Sequence, residues 1–319
     1  MTSKEQIRKL KWIDFLHIVK RTVIEFFQEQ SFFHGAALSY YAVFALVPMI
    51  YLALITFGQI MGQDMILKII DSLLKEEVGL QDSTGLMQFL EQAEFHKSNV
   101  VMNVIGIIVL LLTSTAMLQS LRTSINEFYD IKVNIEDRRK RLEYTVGTKL
   151  VSIFLLPVFA SVLMIMYFGE TFVLSLGYSV FGELNGFETT ILNISLYSFS
   201  ILMNGLLFTI VLKYVHDGYV PFKLAFGGGL LTSVLLWFGQ LGIKFYLQNY
   251  FFGSKAGVAG TVLVLLAWMY YTSQIIFIGA KFTKVYALFV GKPIRFHGRK
   301  VNTQKILARV SGKNKKKLG

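Results

Sequence analysis

Six stretches of this 319-residue chain contain no Asp, Glu, Lys or Arg: 35–63, 98–121, 150–169, 189–212, 224–243 and 256–280, each 20 to 29 residues long. A hydrocarbon core of about 30 Å takes roughly 20 helical residues at about 1.5 Å each. In lipid, backbone N–H and C=O groups must pair within the spanning element, which leaves helices and closed barrels. A barrel strand needs only about ten alternating residues, so these stretches predict an all-α, polytopic integral membrane protein with six transmembrane helices.

The segments between the stretches fix an expected orientation. Alternate segments hold 27 basic residues against 5, whereas acidic residues divide 10 and 10. Basic residues near span ends are retained on the cytoplasmic side, so both termini are expected inside, as in a multi-pass protein of the bacterial cytoplasmic (inner) membrane. The 54% hydrophobic and 16% charged content and the mean hydropathy of +0.53 agree. The chain has no cysteine, which excludes disulfides, thiolate metal sites and a Cys nucleophile. The first apolar stretch begins at residue 35, later and longer than a cleavable leader would have it, and is expected to act as an uncleaved anchor.

Three parts follow: residues 1–34 as a cytoplasmic amphipathic helix, 35–290 as the transmembrane domain, and 291–319 as a basic, disordered cytoplasmic tail. In the first part, Trp12, Phe15, Leu16, Val19, Val23, Phe26 and Phe27 recur at helical spacing beside basic residues. That predicts a helix lying in the inner leaflet, with Lys11, Lys20 and Arg21 on anionic head groups; packing against the protein's own cytoplasmic loops is the alternative. Residues 64–97 read as a short helical hairpin on the outer face, broken near Gly79 and Gly85. The apolar run 171–182 is too short to span and is expected to be interfacial or re-entrant. The tail has ten basic residues and no acidic one. Its composition fits topology reinforcement or lipid association better than specific nucleic-acid binding.

Polar groups at membrane depth are costly and mark function. Tyr40, Tyr41, Gln119, Asn204, Tyr271 and Gln274 fall in the expected cytoplasmic halves of their helices. They are the candidates for a substrate pathway open to the cytoplasm; interhelical hydrogen bonding is the other reading. Pro48 and Pro157 are candidate kinks, and Gly228 and Gly257 candidate hinges or close-packing points. Lys281, at the inner edge of the last stretch, is expected to snorkel to anionic head groups. The five histidines are dispersed and no P-loop, nucleophile elbow or carboxylate cluster occurs in the spans. The expectation is a non-enzyme, with no catalytic residues, no metal and no cofactor.

The run from Ala36 through Ser39-Tyr40-Tyr41 to Pro48 resembles the first-helix signature of the YihY/BrkB family of bacterial inner-membrane proteins. Leu121 to Tyr129, with an Asn before an aromatic, is similar to that family's segment after its second helix. Val220-Pro221-Phe222-Lys223, Gly257 to Thr261, Trp268 to Ile275 and Gly279 to Ala287 extend the likeness over about 20–290. One departure is that the family commonly carries Glu where this chain has Lys281, so no acidic role carries over to that position. The resemblance implies six inner-membrane helices and links to serum resistance and lipid or lipopolysaccharide export. The family's older ribonuclease label finds no metal set or acid–base pair here. The expected function is transporter-like, binding or moving an amphipathic lipid-like substrate among membrane lipids; the alternative is a non-transporting scaffold or envelope assembly factor.

Overall fold

The computed structural model describes residues 12–28, 31–58, 62–75, 100–131, 171–177, 186–250 and 257–296, with single residues at 84, 87, 165, 168, 169 and 179. Seven helices of more than ten residues follow in order among them: α1 (Trp12–Gln28), α2 (Ser31–Thr56), α3 (Gln63–Leu73), α4 (Val100–Phe128), α5 (Gly186–Tyr214), α6 (Phe222–Tyr250) and α7 (Gly257–Phe289); residues 171–177 are helical too. Strands β1 (Gly218–Tyr219) and β2 (Arg295–Phe296) form one antiparallel ladder between the α5–α6 loop and the start of the basic tail. Most of the stretch 150–169, with Pro157, lies outside the described residues, as do Lys11, most of the second limb of the outer hairpin and 297–319.

Among the described residues, four helices are long and apolar enough to cross a membrane: Asn103–Phe128, Gly186–Tyr214, Phe222–Leu247 and Ala259–Phe289. The 26-residue α2 overlies most of the first charge-free stretch. These surfaces are apolar on their outer sides; α4 alone exposes Val100, Val101, Val104, Ile105, Ile108 and Leu112. A water-soluble bundle would bury such a row, whereas acyl chains accept it.

Close approach of backbones organises the interior. On α6 and α7, Gly228 and Gly279 face one another's threonines: a Cβ at Gly228 would collide with Thr283, and one at Gly279 with Thr232. Each threonine hydroxyl is spent on its own helix, Thr232 Oγ1 donating to Gly228 O at 2.7 Å and Thr283 Oγ1 to Gly279 O at 2.8 Å. A second crossing joins α5 to α6, where a Cβ at Gly229 would meet Gly205 O at 2.6 Å and Thr209 N at 2.7 Å. Small residues four apart permit such contact, and dispersion over the seam holds it. α7 is the hub, packing on α6, α2, α4 and α1.

Helix ends explain why the elements overrun the charge-free stretches. α4 continues past Leu121 to Phe128 and closes with Asp130 N–H to Glu127 O at 2.9 Å and Ile131 N–H to Asn126 O at 2.8 Å, Asp130 taking φ 55°. α7 continues past Lys281 and closes in the same pattern on Gly291, φ 77°, with Lys292 N–H to Ala287 O at 2.8 Å. Both are left-handed caps that satisfy the last carbonyls, and Gly and Asp are suited to that conformation.

Candidate functional site

One end of the bundle gathers the N-terminus of α2, the C-termini of α4, α5 and α7, the α5–α6 loop and all of α1. Its core is aromatic: Phe128 stacks on Phe277 at 4.9 Å and on Phe26 at 6.3 Å between centroids. Around this core lie the charged and polar groups that the helices carry beyond their apolar lengths.

The first group clamps α4 to the α5–α6 loop. Arg122 Nε donates to Asp217 Oδ1 at 3.0 Å, and a second guanidinium nitrogen meets the same oxygen. Asn126, one turn on from Arg122, donates to Asp217 Oδ2 at 2.5 Å and accepts Asp217 N–H at 2.9 Å. Next to it, His216 Nε2–H donates to Leu212 O at 2.8 Å while Nδ1 accepts Gly218 N–H at 2.9 Å. Those partners select the neutral Nε2–H tautomer. Tyr129 OH donates to the same Leu212 carbonyl at 3.1 Å, and burial pushes its phenol well above the ordinary range, only partly offset by Thr283. The loop is thereby held from both sides.

The second group links α2 to α4. His34 has Ser124 Oγ 2.9 Å from Nδ1 and Glu127 Oε2 2.9 Å from Nε2, an order like that of a nucleophile, base and orienting carboxylate. Ser124, however, is wholly buried on a regular helix and its hydroxyl also reaches Ser120 O at 2.8 Å. A buried hydroxyl within a helix offers a substrate no approach, so these groups position α2 on α4.

The third group lies along α7. Gln274 Nε2 donates to Ser31 O at 3.3 Å, while its Oε1 is buried without a hydrogen-bond partner. Two turns on, Lys281 is 0% exposed, its ammonium 3.8 Å from Glu25 of α1 and 5.8 Å above the Phe128 ring. Lys284 pairs with Asp130 at 2.5 Å.

The six pathway candidates do not share one surface. Gln274 is buried, Asn204 half-buried, and Tyr271 donates its hydroxyl to Leu235 O at 3.0 Å in the slot left by Gly239. Tyr40, at 54% exposure, Tyr41 and Gln119 face outward from α2 and α4. Pro48 lies within α2 and Gly257 opens α7, whereas Gly228 is a packing point at the α6–α7 crossing.

The basic candidates also separate. Lys20 is exposed and Arg21 bonds Glu25 at 2.7 Å. Lys281, expected on head groups, is instead fully buried, because α7 runs two turns beyond it and α1 folds over it. The buried face of α1 is Phe15, Ile18, Val19, Thr22 and Phe26, packed on Phe282, Val285 and neighbours, while Leu16, Val23 and Phe27 point outward. The sequence spacing had merged these two faces.

Arg122, Asn126, Asp217, His34, Ser124 and Glu25 were not among the site candidates of the sequence, Arg122, Ser124 and Asn126 entering only as part of the resemblance at Leu121 to Tyr129. The available signal was the i, i+4 pair Arg122–Asn126 just past the second charge-free stretch, which marks a helix that continues with a polar face.

A sequence-family model described as Virulence factor BrkB matches residues 23–295. A protein of Alkalilimnicola ehrlichii named "UPF0761 membrane protein" is 23% identical over 97% of this chain and 67% of its own length. A protein of Chromobacterium violaceum with the same name is 29% identical over 29% of this chain and 22% of its own length. No solved structure matches.

Proposed function

The chain belongs to the Virulence factor BrkB family of membrane proteins, and from that premise we propose that it handles an amphipathic lipid-like molecule at the cytoplasmic end of a six-span bundle in the bacterial inner membrane. The observation that carries this reading is a lysine and a glutamine buried along one face of an apolar helix, where α7 meets α1 and α2. A charge at membrane depth is expensive, and its retention points to a ligand path or a charged partner in function.

Three further features support the placement. The 27 to 5 division of basic residues supports a cytoplasmic placement of the charged end. At that end the exposed rings of Tyr214 and Phe222 flank Lys213, whose ammonium lies 4.9 Å from Tyr214 and 5.2 Å from Phe222, and Tyr219 is exposed as well, as expected of an interfacial belt. The exposed Leu16, Val23, Ile24 and Phe27 of α1 suit acyl chains beside it.

The test is lipid movement by the purified full chain in phospholipid vesicles carrying fluorescent lipid in both leaflets. The inner-leaflet pool should become reducible by an impermeant quencher, and Gln274→Leu should slow that exchange about tenfold. Exchange no faster than in protein-free vesicles overturns the proposal. Because the native chain has no cysteine, single cysteines introduced at either terminus, labelled from one side only, check the orientation in the same preparation.

A further inference from the structure

We propose that the end of α5 and the α5–α6 loop form a docking site for one anionic phospholipid, in which Lys213 takes the phosphate and the outer face of α5 takes the acyl chains. The site is built on α5, α6 and β1 rather than on the α7 face of Gln274, and it binds lipid whether or not the chain moves it.

Lys213 sits one residue from the end of α5 and has no counter-charge there. Three other cations at this end each meet a carboxylate: Arg122 meets Asp217, Lys281 meets Glu25 and Lys284 meets Asp130. Among the described residues the Lys213 ammonium instead has two rings beside it, Tyr214 at 4.9 Å and Phe222 at 5.2 Å. Both lie within the roughly 6 Å reach of a cation–π contact. The ammonium is not spent on the helix end either: Leu212 O already accepts from His216 and Tyr129, and Val211 O from Val215 N–H. Ring faces orient an ammonium but leave its N–H donors for an oxygen acceptor, and a phosphate is the strong one.

The surroundings select a lipid. Leu206 and Leu202 precede Lys213 by seven and eleven residues, which returns both to its side of α5. At about 1.5 Å per residue they lie about 10 and 16 Å below it, and both are exposed. One helix face thus runs from a cation, past rings at head-group level, to an apolar strip of acyl-chain depth. In the stretch 213–223 the one acidic residue is Asp217, buried and held by Arg122 and Asn126, so no carboxylate of the loop repels a phosphate. Lys223 is exposed beside Phe222. The ladder sets Arg295 opposite Tyr219, and the basic stretch 291–319, with no acidic residue, is thereby rooted at the rim of the site. A free phosphate gains nothing from the rings or the leucines, whereas an anionic bilayer lipid meets charge, rings and apolar strip together.

The test uses the full chain in nanodiscs containing phosphatidylglycerol with a photoreactive head group, and a diacylglycerol carrying the same reactive group as the control without phosphate. Adducts are mapped by peptide mass spectrometry. Those within 213–223 should exceed the control about fivefold in the parent and fall to the control level in Lys213→Gln. Lys213→Arg keeps the charge and should keep the adducts, and both variants should melt with the parent. Equal yields from the two probes, yields unchanged in Lys213→Gln, or a loss in Lys213→Arg as large as in Lys213→Gln overturn the proposal. Adducts abolished by excess inorganic phosphate or single-stranded RNA at constant ionic strength overturn it too, because the ligand would then be a soluble anion. Lipid exchange in vesicles separates this site from the transport reading: expected adducts without exchange remove transport alone, and exchange without the adducts removes the docking site alone.

Discussion

Replacing Asp217 with Leu removes the carboxylate that faces both Arg122 and Asn126, and the cost can be worked from the geometry. The Asp217 side chain is 3% exposed and that of Arg122 12%, so water cannot take over for the lost anion. Withdrawing one member of a buried ion pair costs about 3–5 kcal/mol. The Asn126 amide also loses an acceptor at 2.5 Å, for about 1 kcal/mol more. The single variant should then lose about 4 kcal/mol or more. Arg122→Met should lose a similar amount, since it strands the carboxylate instead. The double variant removes both charges and replaces them with apolar volume, a change that is often close to neutral. It should be more stable than either single variant, with a coupling energy of at least about 2 kcal/mol. Denaturant titration of micellar protein, followed by the fluorescence of its three tryptophans, measures all four corners of the cycle. Losses that simply add would show that the two side chains do not share a buried clamp.

Two other perturbations test different parts of the same framework. Gly229→Ala places a methyl against Gly205 O at 2.6 Å and Thr209 N at 2.7 Å, backbone atoms that cannot swing aside; a loss of about 1–3 kcal/mol is expected, and an unchanged denaturation midpoint would show that α5 and α6 do not cross there. For Tyr129, burial raises the phenol above the ordinary tyrosine value of about 10, so its contribution is whole below about pH 10 and is lost as pH rises from there through the folded value; Tyr129→Phe should flatten that part of the alkaline stability slope, and an identical slope in both proteins would exclude it.

The long apolar helices were legible because lipid imposes length and composition on a single segment, and each segment carries its own signal. The cap of α4 at Asp130 and the length of α7 past Lys281 were not, because a charge was taken as the edge of a span. A helix ends where its last carbonyls find partners, here at Asp130 and Gly291, and a charged residue can stay inside it when another element supplies a counter-charge. That is why Lys281 was read as a head-group contact: its neighbour Glu25 lies in a helix at the other end of the sequence, and no local pattern connects them. Tyr40, Tyr41 and Gln119 illustrate a different limit. Their depth was readable, but the side of the helix they occupy depends on which neighbours α2 and α4 choose.

Two kinds of contact hold this bundle, and they divide the work by depth. In the span interior, where α5, α6 and α7 cross, glycines and threonines bring backbones together, with the hydroxyls of Thr209, Thr232 and Thr283 each spent on its own helix. Such seams tolerate no added atom and resist separation. At the charged end the joints run between different elements: the ion pairs Arg122 to Asp217, Lys284 to Asp130 and Lys281 to Glu25, and the polar contact of His34 with Glu127. Of these, Lys281 to Glu25 has the longest separation, involves a wholly buried cation, and joins an element that packs chiefly on α7. Raising ionic strength would screen the exposed Asp130 pair more than the buried Lys281 pair, so salt should loosen the joint between the end of α4 and α7 while the joint between α1 and α7 holds.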